Sequence, residues 1–371
     1  MNVADFDFEL PPELIAQEAA SDRAASRLLH LNRATGRVAH TAVSALPSLL
    51  QPGDLVVVNN TRVFPARLLG RREPSGGGVE CVLLSEQTSQ TSGSDTRLTP
   101  NAPNPNAPNA RLWEALVHPG QKLKPGARVV FDDAAGRLRL HAEILERRDY
   151  GRRLVRLWTE DGSTVDDTVD AIGHVPLPPY IKRADRAADH DRYQTMFAAE
   201  RGSVAAPTAG LHFTPGIASA LAARGIEIAE ITLHVGYGTF QPIRVDTVED
   251  HTLEPERFDI APRAADAINK ARDEHRRVIA VGTTTTRTLE WAALQGDGRV
   301  RAGRGATNLF IYPGFTFRVL GGLLTNFHLP QSSLLMLVSA FAGREHVLAA
   351  YRDAVAAKYR FYSYGDAMLI T

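Results

Sequence analysis

Hydrophobic residues in this chain occur in short runs whose spacing changes along the sequence. One run, Leu55–Val58, contains no polar residue, which is typical of a strand buried on both faces. Such strands belong to parallel or mixed sheets that helices cover. Residues 11–30, which precede it, favour a helical lead-in that gives way to short strands and turns.

Between residues 66 and 172 the apolar segments become short and are separated by Gly, Pro and Asp. This pattern predicts an inserted all-β domain, antiparallel and barrel-like. Within it, residues 87–110 contain only polar, Pro, Gly and Ala residues apart from Leu98. Because this segment has too little apolar surface to bury, we expect it to be a disordered extension.

After residue 173, helical patterns alternate with buried-strand patterns, as in the sequence AADAINKARDEHRR followed by VIAVG. Alternation of this kind predicts βα units around a parallel sheet. We therefore expect an α/β fold: a mostly parallel, barrel-like body formed by residues 1–65 and 173–371, with the β domain inserted in its first third.

Composition limits the possible partners and compartments. The 371 residues include 44% hydrophobic and 23% charged residues, as in a folded globular protein. Because 42 basic residues balance 42 acidic ones, nucleic-acid binding would need a local patch. The single cysteine, Cys81, cannot form an internal disulfide, and no apolar run approaches the ~18 residues of a membrane helix. With no signal-peptide pattern at the N-terminus, these features indicate the cytoplasm and no membrane segment.

Three segments each place a histidine where a strand or turn ends. They are PTAGLHFT with His212, ITLHVGYGTF with His234 and LLTNFHLP with His328, the last followed by a helix capped by Ser332 or Ser333. An imidazole can accept or donate a proton near neutral pH. One such histidine alone is more often structural, but three at strand ends of one sheet predict a shared site.

Two glycine-containing turns follow predicted strands and could hold a ligand. The segment Gly236–Thr239 ends one strand, and its Tyr237 could either stack on a purine or simply pack. Gly282 ends the second strand and precedes Thr283–Thr286 at a helix start. Free N–H groups there favour an anion or a ribose, although helix capping would explain one of the four threonines.

Several common sites are missing from the sequence. It has no H-x-x-x-H pattern and too few cysteines for a zinc site, so no metal is predicted. It also has no G-x-S-x-G, G-x-G-x-x-G or P-loop motif. These absences disfavour common hydrolases and dinucleotide-binding enzymes.

Basic residues suggest where RNA could bind. Candidates for phosphate contact are Arg62, Arg67, Lys182 and Arg183, with Tyr180 beside the last two. The stretch 137–156 holds seven arginines and three acidic residues. It could follow a phosphate backbone, or it could simply be the solvated face of the strands.

The same segments carry a family resemblance. The sequences FDFELPPELIAQ, PGDLVVVNNTRVFPARL, GSVAAPTAGLHFT, LHVGYGTFQPI, VGTTTTRTLE and LLTNFHLPQSSLLMLVSAF resemble those of the S-adenosylmethionine:tRNA ribosyltransferase-isomerases of queuosine biosynthesis. The resemblance spans nearly the whole chain, and 87–110 is its one marked departure.

The resemblance implies transfer and isomerisation of the ribosyl group of S-adenosylmethionine onto a 7-aminomethyl-7-deazaguanine at the tRNA wobble position. Epoxyqueuosine-tRNA, adenine and methionine are the implied products. S-adenosylmethionine would be the cosubstrate and tRNA the partner, and neither a protein partner nor more than a monomer is required. Rival hypotheses are an S-adenosylmethionine-dependent tRNA methyltransferase and a non-enzymatic RNA-binding protein.

The implied chemistry needs a base that removes a proton beside the sulfonium and an acid that protonates adenine. On this hypothesis His212 or His234 is the base, and His328 or a neighbour is the acid. The expected cosubstrate-binding residues are Gly210, Gly236, Tyr237, Gly238, Thr239, Gly282, Thr283, Thr284, Thr285 and Asn326. The expected tRNA-binding residues are Arg62, Arg67, Tyr180, Lys182 and Arg183.

Overall fold

A computed structural model of the chain describes residues 1–87, 109–240 and 243–371. The described chain forms two compact units. We call them the sheet unit (Met1–Arg62, Pro178–Ala184 and Asp191–Thr371) and the barrel unit (Val63–Leu177 and Asp185–His190). Of the predicted disordered extension, residues 88–108 lie outside the described residues. At its margins Gln87 ends a strand, and Asn109 Nδ2 donates to Ser163 O at 3.0 Å.

The described strands, in chain order, are β1 Arg27–Leu31, β2 Val38–Ala42, β3 Leu55–Asn59, β4 Thr61–Val63, β5 Arg67–Glu73, β6 Gly78–Gln87, β7 Arg111–His118, β8 Arg128–Asp132, β9 Arg139–Arg147, β10 Arg152–Trp158, β11 Glu200–Ser203, β12 Glu227–Leu233, β13 Glu256–Ile260, β14 Val278–Val281, β15 Gly303–Thr307, β16 Leu320–Asn326 and β17 Ala367–Ile370. The α-helices are α1 Leu46–Leu49, α2 Val165–Ile172, α3 Asp189–Arg192, α4 Pro215–Ala223, α5 Pro262–Asp273, α6 Thr283–Gln295, α7 Ser333–Ala342 and α8 Arg344–Ala356.

Nine strands form the sheet of the sheet unit, in the order β15-β13-β12-β3-β14-β16-β17-β1-β2. The three central pairings, β12 with β3, β3 with β14 and β14 with β16, are parallel. The pair of β1 and β17 is also parallel, and the other four pairings are antiparallel. The α/β class is therefore confirmed. The sheet is mixed and open where we expected a mostly parallel, barrel-like body, because antiparallel strands extend it on both sides.

The side chains of β3 explain why the centre of this sheet is stable. Leu55 and Val57 pack in one hydrophobic cluster, whereas Val56 and Val58 pack in another. Because successive side chains of a strand point to opposite faces, helices cover both faces of the sheet. Residues of α5 to α8 contribute to the first cluster, and residues of α4 contribute to the second. The interpretation of Leu55–Val58 as a doubly buried strand is confirmed.

The barrel unit closes six antiparallel strands in the order β10-β7-β6-β5-β8-β9. Its interior is filled by alternating apolar side chains, including Leu68, Leu83, Val130, Leu140 and Val155. The prediction of an inserted antiparallel barrel is confirmed.

The helical lead-in predicted for residues 11–30 is wrong. That stretch has a single 3-10 turn, Pro12–Leu14, and from Arg27 onward it is β1. Backbone groups of this stretch bond outside a helical ladder: Ile15 pairs with Phe361, and Ala24 N–H donates to Asp22 Oδ1 at 2.9 Å. None of the described helices is long and apolar enough to cross a membrane alone, although α7 and α8 pass that test together across a 116° bend.

Candidate active site

A pocket of the sheet unit lies at the carboxyl ends of the parallel strands. It encloses about 550 Å³, part of which is open to solvent. Segments following β12, β14 and β16 all contribute to its wall, so the predicted convergence of these strand ends is confirmed. The carboxyl ends of strands are where open α/β sheets bind ligands. The lining residues are Tyr180, Ala206, Pro207, Thr208, Ala209, Val235, Thr239, Gly282, Thr283, Thr284, Thr325, Asn326, Phe327, His328, Leu334, Tyr362 and Ser363.

Gly282 joins β14 to α6 at the pocket. Its φ of 94° is in the range that favours glycine, and its N–H donates to Leu324 O at 2.8 Å, which ties this turn to β16. α6 then starts at Thr283, as the sequence predicted. Thr283 and Thr284 line the pocket, whereas the Thr286 hydroxyl is used within the helix, where it donates to Gly282 O at 3.1 Å. No described side chain caps the start of α6, so capping does not explain the run, and ligand binding by Thr283 and Thr284 remains a prediction.

Thr285, the remaining predicted member of this run, is fully buried behind the pocket wall. Its hydroxyl has no hydrogen-bond partner among the described residues. Gly210 is likewise buried behind the wall, in the 3-10 turn Thr208–His212. A Cβ on Gly210 would lie 2.9 Å from Thr195 Cγ2, so this glycine permits close packing and does not itself line the pocket.

His328 is the one of the three predicted histidines that lines the pocket. It follows β16 directly, and Ser332 caps the next helix, α7, by accepting from Leu335 N. His328 Nε2 lies 2.8 Å from Thr325 Oγ1, and its main-chain N–H donates to the Tyr351 hydroxyl at 3.1 Å. Burial lowers the pKa of His328 to about 3. The imidazole is therefore neutral at physiological pH.

His212 lies in the layer behind the pocket wall and is 4% exposed. Burial lowers its pKa to about 4, with nearby Asp366 opposing the shift and Arg360 and Arg23 adding to it. It interacts with Asn326, although neither His212 Nε2 nor Asn326 Oδ1 makes a hydrogen bond of normal geometry with a described residue. Asn326 itself lines the pocket, so this interaction connects His212 to the pocket wall.

His234 points away from the pocket lining. Its Nδ1 lies 2.9 Å from Thr61 Oγ1, and its ring packs against Gly202. Burial is the main cause that lowers its pKa. The following residues behave differently from one another: Val235 and Thr239 line the pocket, whereas Gly236, Tyr237 and Gly238 do not. Of the predicted loop Gly236–Thr239, only Thr239 therefore lines the pocket.

Tyr180, Tyr362 and Ser363 complete the pocket from outside the strand ends. Tyr180 was expected to contact RNA, but it lines the pocket and its hydroxyl hydrogen-bonds to Ser363 Oγ. Tyr362 has a φ of 76°, rare for a residue with a side chain. Its carbonyl accepts from Asn326 Nδ2 at 3.0 Å. The sequence analysis missed Tyr362 and Ser363, because YSYG follows no predicted strand.

The remaining cationic candidates lie in different surroundings. Arg62 and Lys182 are exposed. Arg183 Nε donates to Gln17 O at 3.2 Å. Arg67, in the barrel unit, donates to Glu80 at 2.8 Å and lies 3.9 Å from Asp185. Arg67 is therefore already neutralised by carboxylates.

The arginine-rich stretch 137–156 of the barrel unit is also largely neutralised. Five of its seven arginines lie within 4 Å of a carboxylate, as in the pairs Arg139–Asp132 at 2.6 Å and Arg152–Glu114 at 2.8 Å. This arrangement favours the solvated strand face over a phosphate-binding patch. Across the described ranges, no three His, Cys, Asp or Glu side chains are grouped as metal ligands.

The chain is similar to known proteins along nearly its whole length. The family described as "Queuosine biosynthesis protein" matches residues 3–370. An S-adenosylmethionine:tRNA ribosyltransferase-isomerase of Heliobacterium modesticaldum is 53% identical over 370 residues, and one of Desulfitobacterium hafniense is 48% identical, each with 100% of both chains covered.

A crystal structure of S-adenosylmethionine tRNA ribosyltransferase from Thermotoga maritima is also similar. It has 35% identity and a TM-score of 0.53, with 99% of this chain and 100% of that chain covered. The chain therefore belongs to the S-adenosylmethionine:tRNA ribosyltransferase-isomerase family of queuosine biosynthesis.

Proposed function

We propose that the chain transfers and isomerises the ribosyl group of S-adenosylmethionine onto the 7-aminomethyl-7-deazaguanine of a tRNA wobble position. The products are epoxyqueuosine-tRNA, adenine and methionine. Full-length identity of 48–53% to relatives of that name supports the reaction. The observation that carries the site is the pocket at the ends of β12, β14 and β16, which has His328 in its wall.

The chemistry of the lining suits this cosubstrate. Among the described lining residues there is no carboxylate, lysine or arginine. Aromatic rings of Tyr180, Phe327 and Tyr362 could face the sulfonium cation or the adenine ring. Thr283 and Thr284, at the start of α6, offer hydroxyl and N–H donors to the ribose or carboxylate. A site with few ionised groups also suits a charged intermediate that must be kept from water.

We assign the proton transfers to His328. A neutral imidazole is the form that can accept a proton, and burial keeps His328 neutral. In the tautomer that donates from Nε2 to Thr325 Oγ1, the basic nitrogen is Nδ1. The low pKa that burial imposes makes the neutral ring a weak base and the resulting imidazolium a strong acid. The same residue could therefore pass the proton to departing adenine, which unites the base and acid roles that the sequence analysis divided.

The other predicted residues take no direct part in proton transfer in this proposal. His212 acts on the pocket through Asn326, and His234 has no part in proton transfer. Arg62, Lys182 and Arg183 are the proposed tRNA contacts, whereas Arg67 is left out because Glu80 binds it. No protein partner or metal is required, and the expected compartment is the cytoplasm, where tRNA is modified.

The test is an assay with precursor-bearing tRNA and methyl-labelled S-adenosylmethionine. We expect one adenine released per modified tRNA, with the label leaving in methionine. Label entering RNA would instead identify a methyltransferase, and RNA binding without adenine release would identify a non-enzymatic protein.

The variant His328→Ala should slow single-turnover adenine release at least about 100-fold. His234→Ala is the matched control, because its ring is of the same kind but lies off the pocket, and it should retain near-parental rates. Near-parental release by a folded His328→Ala protein would refute the assignment.

A further inference from the structure

Glu256 and Arg287 form an ion pair in the interior of the sheet unit. Glu256 begins β13, and Arg287 lies one turn into α6. Arg287 Nη2 donates to Glu256 Oε2, and the two side chains are only 5% and 6% exposed. Transferring two charges from water to a protein interior is costly, so such a pair is often no more stabilising than apolar residues would be. Stability alone is therefore a weak explanation for it.

The second oxygen of Glu256 contacts a different segment. Oε1 accepts a hydrogen bond from Gly236 N–H at 3.2 Å. Gly236 follows Val235, which lines the pocket, and begins the turn that brings Thr239 to the pocket wall. One carboxylate thus holds this turn on one side and α6 on the other.

Arg287 connects the pair to a second segment of the pocket wall. It lies on α6 one turn after Thr283 and Thr284, which line the pocket. Arg287 and Glu256 are themselves outside the lining. Any change in their contact would move the Gly236–Thr239 turn relative to the start of α6 without removing a group that touches the ligand.

We propose that Glu256 and Arg287 are positioning residues, which fix the distance between two segments of the cosubstrate pocket's wall by joining the Gly236–Thr239 turn to α6. This inference rests on the proposed function, since it concerns S-adenosylmethionine bound against those segments. Loss of the contact should weaken S-adenosylmethionine binding and raise its KM. The KM for tRNA and the rate of the chemical step should change little.

The main variants are Glu256→Leu, which removes both contacts, and Glu256→Gln, which keeps an oxygen for Gly236 N–H. Glu290→Gln is the matched control. Glu290 is also a buried glutamate and lies within α6. Its carboxylate accepts hydrogen bonds from the main-chain N–H groups of Arg318, Val319 and Leu320 at 2.7–3.0 Å. Those residues precede or begin β16, at the end of that strand opposite the pocket.

Equilibrium binding of S-adenosylmethionine by calorimetry, steady-state KM and kcat, and thermal unfolding should be measured for each protein. We expect Glu256→Leu to weaken S-adenosylmethionine binding roughly tenfold and Glu256→Gln to weaken it less. Glu290→Gln should lower the unfolding temperature while leaving the Kd for S-adenosylmethionine within about twofold of the parent.

If Glu256→Leu does not fold, the double variant Glu256→Gln/Arg287→Met replaces it. That variant leaves no lone buried charge but still lacks the link to α6, so it should also bind S-adenosylmethionine more weakly. Parental binding by a folded variant, or equal weakening in Glu290→Gln, would overturn the positioning role. A parent protein that binds no S-adenosylmethionine would instead overturn the proposed function, and this inference with it.

Discussion

The hydroxyl of Thr325 lies 2.8 Å from Nε2 of His328, and both side chains are buried in the wall of the pocket. Thr325 is in β16, and His328 follows the end of that strand, so the contact fixes the ring against a rigid element. Since one imidazole nitrogen is committed to Thr325, the same contact fixes the orientation of the ring and of its other nitrogen, whichever of the two atoms is the donor.

Replacing Thr325 by valine should therefore impair catalysis more than binding. Valine keeps the shape of the side chain but leaves His328 Nε2 without its partner, so the ring can adopt other orientations. We expect kcat for adenine release to fall by about tenfold, with the KM for S-adenosylmethionine nearly unchanged. Thr325→Ser, which retains a hydroxyl, is the control and should keep most of the activity. A parental kcat in Thr325→Val would show that the contact does not orient a catalytic ring.

The rate of adenine release should not fall near pH 6.5, where an ordinary catalytic histidine becomes protonated and the pH–rate profile acquires a descending limb. A catalytic base with an ordinary histidine pKa near 6.5 would lose about tenfold in rate by pH 5.5. Because burial lowers the pKa of His328 to about 3, the neutral base persists as the pH falls. Single-turnover release at saturating cosubstrate should be nearly flat from pH 8 to pH 5, with circular dichroism confirming the fold at each pH. A limb near pH 6.5 that disappears in His328→Gln would contradict the shifted pKa.

The sequence predicted the parts of the fold whose signal is local. The uninterrupted apolar residues of β3 and β14 identify buried strands wherever they pair. The antiparallel edge of the sheet was not predictable in this way, because β15 (GRGAT) has almost no apolar residues. Its pairing with β13, which lies more than 40 residues earlier, depends on tertiary contacts.

The same distinction applies to the site. Gly282, Thr283 and His328 were predictable because each lies within two residues of a strand end, and parallel strands bring such positions together. Tyr362 could not be found, because it reaches the pocket from an irregular segment with a left-handed backbone. The placement of His234 off the pocket also depends on side-chain orientation, which spacing alone does not determine.

The stability of the protein should fall in mild acid because of His212. Its pKa is lowered to about 4 in the folded state but is near 6.5 when unfolded. The unfolded chain therefore binds the proton first as the pH falls below 6.5, which favours unfolding. From pH 7 to pH 5 this residue should cost roughly 2 kcal/mol. Urea unfolding of parent and His212→Asn should show a smaller pH dependence in the variant, and parallel pH curves would contradict the prediction.

Asp54 and Arg277 join the starts of β3 and β14, at the amino ends of these strands and so at the end of the sheet away from the pocket. Arg277 Nε and Nη2 donate to the two Asp54 oxygens at 2.9 and 2.6 Å, and Asp54 is 2% exposed. Replacing the buried carboxylate by an amide leaves the partly buried guanidinium of Arg277 without its counter-charge. Asp54→Asn should therefore lower the free energy of unfolding by roughly 2–3 kcal/mol, measured by urea denaturation.

Asp273→Asn provides the control for that change, because Asp273 also forms a two-point ion pair, with Arg299, but both partners are more than half exposed. Solvent screens such a pair, so its loss should leave the denaturation midpoint unchanged. Since Asp54 lies at the far end of the strands, the folded Asp54→Asn protein should bind S-adenosylmethionine as the parent does. Equal stability of the two variants would show that burial does not strengthen this pair. Weakened cosubstrate binding in Asp54→Asn would show that the two ends of the sheet are coupled.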